Sequence, residues 1–513
     1  MEQDPRFRLS VQRNGRCRKR RRWCSYSSMC PQSEFGVVDA SVDSLLQAIT
    51  ERSFFVQVGD HFELPLRVKN SEYRCDSLAD FQKSVVEHVG ERATIGTLRE
   101  TVNLFHGAKH TRYVNAYNSL MKDPVSKKDR MLSNFIKFGK DRVDKAARLI
   151  NPPSARLGLE MARFLKPNEH LYFSGINAAW GERTSATVIK GLDIYCSAEV
   201  LLDKWNMFQE PVAIGLDASK FDMHVTQQAL KYEHSFYNDV FRDPHLAELL
   251  SWQLSSKSVG YVRDGKVVAS FPGTRCSGDM NTSLGNCIIM SGLIHAYCAE
   301  HSIVAELANN GDDCVVFIER TQLDSFMRDI TPWFAAKGFR MTVEDPVYEF
   351  EQIEFCQAHP VNDGNRWRMV RNPITCLIKD PMCLKPIDSI RGLNKWRGAV
   401  GTGGLSLTSG IPVLQAFYSA MRRNTRKCSA RYLRNVIFDG TGALERGASL
   451  SATECAINAN TRASFAAAFN ISPAEQIAIE RYYDSVVLSD ELQEHTLAPP
   501  PIIELASVVF TKS

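Results

Sequence analysis

Asn310-Gly311-Asp312-Asp313, set between the apolar stretches Ile303 to Ala308 and Cys314 to Ile318, constrains this 513-residue chain more than any other feature. Two apolar runs flanking a tight polar turn read as strand, turn and strand, and Gly311 suits the turn because it lacks a Cβ. The following Cys-Val-Val-Phe-Ile reads as a buried strand. Two adjacent carboxylates at such a tip make half of a divalent-metal site, and sites of that kind move phosphoryl groups. The same four residues also fit an ordinary solvated hairpin turn.

A second carboxylate cluster lies upstream, in Ile214-Gly215-Leu216-Asp217-Ala218-Ser219-Lys220-Phe221-Asp222. The short apolar run Val212 to Leu216 delivers Asp217 to the end of an expected strand. Two-metal phosphoryl transfer needs carboxylates from two different strands to converge, which makes Asp217 and Asp312 candidate ligands. Asp217 also reads as a turn or helix N-cap residue after a strand. The third element runs from Pro272 to Asn286. Ser277 is the expected N-cap of a helix that carries Met280, Leu284, Ile288 and Leu293 on its apolar face and ends near Cys298. Thr282 and Asn286, four apart, share one face, so a hydroxyl beside an amide could read a ribose. Close packing of small polar residues in a buried helix is the alternative.

Taken in order, Asp217-x-Ser219-x-Phe221-Asp222, Ser277-Gly278-x-x-x-Thr282-x-x-x-Asn286 and Gly311-Asp312-Asp313 resemble palm motifs A, B and C of viral RNA-dependent RNA polymerases. The flanking residues resemble those of tombusviruses and tombus-like viruses. Lys337-Gly338-Phe339 is similar to motif D, Glu354-Phe355-Cys356-Gln357 to motif E, and Gly410-Ile411-Pro412-Val413 with Gln415, Phe417 and Tyr418 to a thumb segment.

The resemblance implies a role for each residue. Asp217 and Asp312 would hold two Mg²⁺ (or Mn²⁺) ions, with Asp313 as accessory ligand or support. Asp222 and Asn286, with Ser277 or Thr282, would bind the incoming ribose 2′-hydroxyl, which distinguishes RNA from DNA precursors. Lys337 would be a general acid for the departing pyrophosphate, or else a solvated lysine at a helix C-terminus. Upstream, Lys140 to Ile150 followed by Asn151-Pro152-Pro153 resembles motif F, which grips triphosphate and template; Arg148 carries that role, with Lys145 and Arg156 as stand-ins, because the family's arginine after the proline is absent here. An exposed charged helix is the other reading of this stretch.

Composition agrees. The hydrophobic fraction of 44% permits a large core, and a net charge of +4 means that any nucleic-acid channel must come from uneven placement of charge. Fourteen cysteines without paired spacing favour reduced thiols and a cytosolic setting. No apolar stretch reaches the roughly 20 residues that span a bilayer. The basic arm at residues 1–35, rich in arginine from Arg6 to Arg22, is expected to be disordered in isolation. RNA, an anionic membrane surface or a nuclear import receptor could explain it, as could a solubilising tail.

The expected fold is α+β, a right-hand polymerase: fingers over 36–204 and a further insertion at about 225–270, an antiparallel palm with helices on one face over 205–357, and a mainly helical thumb over 358–513. Within these, a helix is expected around Leu78 to Val89, two more from Thr226 to Phe241 and Pro244 to Leu254, and a hairpin turning at Asp264-Gly265. Trp367 to Leu377, Gln415 to Arg423 and Ala474 to Tyr483 suggest the thumb, and Ala498 to Pro501 a proline-stiffened surface tail. The implied reaction is template-directed nucleotidyl transfer from NTP to an RNA 3′ end, replicating a positive-strand viral genome in host cytoplasm. The implied partners are RNA template and product, NTPs and a membrane-anchored replicase protein that would bring the chain to membranes, with no stable DNA partner. A catalytically inactive RNA-binding palm and a reverse transcriptase are the competing readings.

Overall fold

Antiparallel strand pairing organises the centre of the molecule. In the structure, a computed structural model, Ala305–Asn310, Asp313–Glu319, Pro211–Ala218 and Met341–Val343 lie side by side in that order. It describes residues 7–14, 22–26, 35–58, 61–66, 68–181, 185–385, 389–425, 453–488 and 492–496, with single positions 387, 429, 432, 433 and 451. The tail expected at 498–501 lies outside the described residues. Helical stretches alternating with mainly antiparallel strands make the fold α+β.

Cys314 to Ile318 is buried residue by residue because the central sheet is covered on both faces. Val212, Ile214, Leu216, Leu307, Val316 and Ile318 pack into a core shared with the helices Thr282–Glu300 and Leu323–Ala336. Ala213, Ala308, Val315 and Phe317 point the other way, onto the helix Ile194–Trp205 and the segment around Phe350 to Phe355. The expectation of helices on one face alone is corrected accordingly. Helix Thr282–Glu300 is buried almost all round, so its apolar residues form no single stripe.

A second sheet runs in the order Arg8–Arg13, Gly265–Pro272, Ser255–Val262, Leu132–Ser133, antiparallel except for the last pair. Its inner face packs Leu9, Val267, Ala269 and Phe271 on Val42, Leu45, Leu46 and Ile49, from the helix Val42–Ile49. The hairpin forms, but its two-residue link is Arg263-Asp264, one residue earlier than the expected Asp264-Gly265, because Gly265 pairs with Val262. Its edge strand corrects the expectation for the arm: Leu9 is buried and the Arg8–Arg13 backbone pairs fully with Gly265–Pro272, so sheet addition orders residues whose composition alone signals disorder. Arg22–Tyr26 likewise pairs with Leu492–Thr496.

Helices appear at Asp76–Val89, Gln227–Phe241 and Pro244–Ser251, close to the expected spans. The stretch from Trp367 divides: Trp367–Arg371 pairs as a strand with Ala358–Asn362, and helix starts only at Pro373. Beyond it, Ile390–Thr408 packs on Leu414–Arg422, where Gly401 and Gly404 leave room for Tyr418 and Arg422. Among the described residues no helix is long and apolar enough to cross a membrane.

One buried ion pair joins the helix below the sheet to its edge strand: Lys204 Nζ lies 3.1 Å from Glu306 Oε2, and both are sealed from solvent. Burial pulls the Lys204 pKa down, with Glu306 opposing it. Removing one partner of such a pair strands the other charge, at a cost of about 3–5 kcal/mol. Glu306→Ala is therefore expected to lower stability by about that amount in denaturant melts, and Lys204→Met with Glu306→Leu to restore most of it. A single variant as stable as the parent contradicts this account of the pair.

Candidate functional site

The polar turn is built by its own neighbours. Asn310 pairs with Asp313, leaving Gly311-Asp312 as the two-residue link, and Gly311 takes φ +95°, a region that disfavours side chains. Buried Asn309 holds the loop from below: its Nδ2 donates to the Gly311 carbonyl at 2.8 Å and its Oδ1 accepts from the Gly311 amide at 3.1 Å. Cys356 braces it from the side, with Asn310 Nδ2 3.0 Å from its Sγ and the thiol also bonded to Asp313. Sequence reasoning missed Asn309, although an Asn two residues before a turn glycine is the signal for such self-bonding.

Strand register then assembles the carboxylates. Asp217, at the end of Pro211–Ala218, sits directly opposite Asp313, with Asp312 at the adjoining tip. Partial burial and the charge of Asp312 raise the Asp217 pKa, which Lys145 opposes. Desolvation, then Asp312, raises that of Asp313, and the Cys356 thiol counters it. Glu344, which leans over the Cβ-free Gly215, is raised by burial and by Glu354, Asp217 and Asp313. Negative charges that crowd one another in this way fit a site completed by cations. Among the described residues no three His, Cys, Asp or Glu side chains close a metal cage by themselves.

Beside the carboxylates lies a polar string. Asp222 follows the strand on a short helical turn entered through Lys220 in the left-handed region, φ 50°. It accepts hydrogen bonds from Ser277 Oγ and, at 3.4 Å, from Asn286 Nδ2. Desolvation raises the Asp222 pKa, while Ser277 and Arg275 restrain the rise. Arg275 Nε donates to Asn286 Oδ1 at 2.9 Å, and its other end is paired with Glu233 in full burial. Asn281 in turn donates to Glu233 at 2.7 Å. Arg275 therefore fixes which way the Asn286 amide points. Gly285 permits this, because a Cβ there would collide with Glu233 and Arg275. Arg275 and Glu233 were not legible as site residues, since nothing in their spacing marks them.

Other expected residues fall differently. Ser277 reaches Asp222 but does not cap the helix, which begins at Thr282 after Asn281; Gly278, at positive φ, has no Cβ and so lets Pro152 pack against it. Thr282 donates to the carbonyls of Cys276 and Asp279, at 3.1 and 2.9 Å, so its hydroxyl serves the helix start rather than Asp222. Lys337 is buried, its ammonium held by the Glu72 carbonyl and carboxylate and lying over the Trp333 ring. Arg156 is committed to Asp129, Ser119 and the carbonyls of Asp123 and Pro124. Arg148 and Lys145 are exposed, and Lys145 acts electrostatically on Asp217. The segment that carries them is short strands and turns, not a charged helix, and Asn151 N bonds to the Ser277 carbonyl at 2.9 Å.

A family model described as viral RNA dependent RNA polymerase matches residues 9–491. The chain is 41% identical over 390 residues to an RNA-directed RNA polymerase of oat chlorotic stunt virus (isolate United Kingdom), covering 72% of the chain and 51% of that protein. It is 39% identical over 458 residues to one of melon necrotic spot virus, covering 88% and 57%, and 36% over 502 residues to one of tobacco necrosis virus (strain A), covering 94% and 68%. The chain thus spans little more than half the length of the first two.

The crowding of carboxylates makes a prediction about stability without metal. A carboxyl whose folded pKa is raised weakens the fold while charged, so stability is gained as pH falls through the raised pKa. In EDTA at pH 7, Asp313→Asn should melt above the parent by about 1 °C, since the group is partly screened by solvent, and the gap should close towards pH 4. A lower melting temperature for the variant contradicts this electrostatic picture.

Proposed function

Because the chain belongs to the viral RNA-dependent RNA polymerase family, we propose that it catalyses template-directed nucleotidyl transfer from NTP to an RNA 3′-hydroxyl, with release of pyrophosphate. One observation carries this reading: Asp217 and Asp313 face each other in register with Asp312 at the tip, and Asp222 and Asn286 stand alongside in a braced polar string. Asp217 and Asp312, with Asp313 in support, would hold Mg²⁺ or Mn²⁺, which when bound lowers the pKa of the attacking hydroxyl and neutralises charge on the leaving pyrophosphate.

The remaining roles belong to the chain's own groups. Asp222, an acceptor already tied to Ser277 and Asn286, accepts a further hydrogen bond from the ribose 2′-hydroxyl, and the Asn286 amide completes the contact. A deoxyribonucleotide brings no hydroxyl to the desolvated Asp222 carboxylate and forfeits that bond, which is how a polar site rejects a substrate lacking a hydroxyl. Arg148 and Lys145 offer exposed cations for the triphosphate. In hand terms the sheet carrying Asp217 and Asp312 is the palm, residues 36–204 and the 225–270 insertion are fingers, and the helices after Pro373 belong to the thumb. The biological reading is replication and transcription of a positive-strand RNA genome, with a membrane-anchored replicase protein as the partner that brings the polymerase to membranes.

Asp312→Ala or Asp217→Asn should reduce incorporation on a defined template at least about a thousandfold with RNA binding retained, and full activity in either purified variant defeats the assignment. Sugar choice separates this reading from a reverse transcriptase. Arg275→Met, which frees the Asn286 amide, and Asn286→Ala should each raise relative use of dNTP by about tenfold or more in competition assays; an unchanged NTP:dNTP ratio removes the role given to the string.

A further inference from the structure

Among the described residues, the second sheet leaves Arg8, Gln12, Lys257 and Tyr261 exposed on one face. Side chains alternate across a sheet, so the face opposite Leu9, Val267 and Phe271 is read directly from the strand register. One row across it is Arg8, Ser270, Lys257; another is Gln12, Lys266, Tyr261. Tyr261 is 74% exposed. The parallel pairing of Val259 with Ser133, and the 2.9 Å bond from Asn134 N to the Val259 carbonyl, set Phe135 next to Tyr261 when continued. Phe135 is 45% exposed, and neither ring packs against another aromatic ring of the described residues.

No residue in these rows is acidic. Arg8, Lys257 and Lys266 have no carboxylate within ion-pair distance among the described residues. The acidic groups at the hairpin end are engaged elsewhere: Asp264 accepts from Val42 N at 2.8 Å, Asp39 pairs with Arg263, and Asp43 pairs with Arg13. Cations and exposed rings sharing one sheet face, with Lys266 in the Tyr261 row and Arg8 and Lys257 in a parallel row, are the parts from which proteins bind single-stranded nucleic acid: cations follow the backbone and bases stack on the rings. Beside Phe135 in sequence, Lys137 is exposed and its amide bonds to the Arg148 carbonyl at 2.9 Å, so the positive surface continues towards the cations assigned to the triphosphate.

We propose that this sheet face, with Tyr261 and Phe135 as stacking platforms and Arg8, Lys257 and Lys266 as phosphate contacts, is a second binding site for single-stranded RNA outside the carboxylate cluster. It rests on the polymerase reading only for the choice of RNA as the strand it meets.

The test uses the full chain and a labelled oligouridine of about 20 nucleotides, followed by fluorescence anisotropy across a salt series. Tyr261→Ala with Phe135→Ala should weaken binding by about tenfold or more, while affinity for a blunt RNA duplex, whose bases are already stacked, stays the same. Lys257→Ser with Lys266→Ser should flatten the slope of log affinity against log salt by about 1.4. Thermal melts check that these surface changes leave the fold intact, and incorporation at saturating primer–template should match the parent. Asp312→Asn should bind oligouridine as the parent does, so a chain that proves inactive can still pass or fail this test. Unchanged oligouridine affinity in both double variants overturns the proposal. So does loss confined to the lysine variant with equal loss of dextran sulfate binding, which marks a plain polyanion surface, or loss seen only with phosphatidylserine vesicles, which marks a membrane contact.

Discussion

Everything at the candidate site hangs on the antiparallel register between Pro211–Ala218 and Asp313–Glu319. Side chains alternate with period two, so a slip of one residue would turn Asp217 to the opposite face and carry the paired apolar residues out of their cores. The sheet resists that slip because both faces are filled: Val212, Ile214 and Leu216 on one side, Ala213, Val315 and Phe317 on the other. Burial of ordinary aliphatic side chains thus determines where charged ones meet. The carboxylates gain nothing from meeting, since burial and mutual repulsion raise their pKa values, and the surrounding packing holds them there.

A second constraint works from the opposite wall. The buried Arg275–Glu233 pair carries two charges out of water, a situation tolerated only when hydrogen bonds complete it. Here they do: Asn281 and Tyr237 donate to Glu233, while Arg275 donates onward to Asn286. The result is an amide whose orientation is set before any substrate arrives, next to an aspartate held by Ser277. Preorganised donors of this kind cost no reorganisation when the ligand binds.

The sequence made the central hairpin readable because Gly311 between two apolar runs admits few conformations, and Asp217 because an apolar run ends on it. Asp222, Ser277 and Asn286 came together as a set only through the resemblance to the polymerase motifs; spacing along the helix paired Asn286 with Thr282, whose hydroxyl serves the helix start instead. What could not be read depended on contacts distant in sequence. Lys337 was singled out through the resemblance of Lys337-Gly338-Phe339 to motif D, and its burial against Glu72, far away along the chain, could not be read from that segment. Arg156 looks free in a basic stretch, but Asp129 claims it. The edge strand Arg8–Arg13 was hidden because local composition signals disorder while the order comes from pairing with Gly265–Pro272, more than 250 residues on.

The central claim is that strands and turn hold Asp217 and Asp312 where one pair of divalent ions can join them. Crystals of the chain with RNA, an unreactive NTP analogue and Mn²⁺, measured at the manganese absorption edge, test it most directly. The account predicts two anomalous peaks, each in contact with a carboxylate oxygen of Asp217 or Asp312 and with the triphosphate. Peaks found only at other residues, or triphosphate bound with no manganese at these carboxylates, would contradict it.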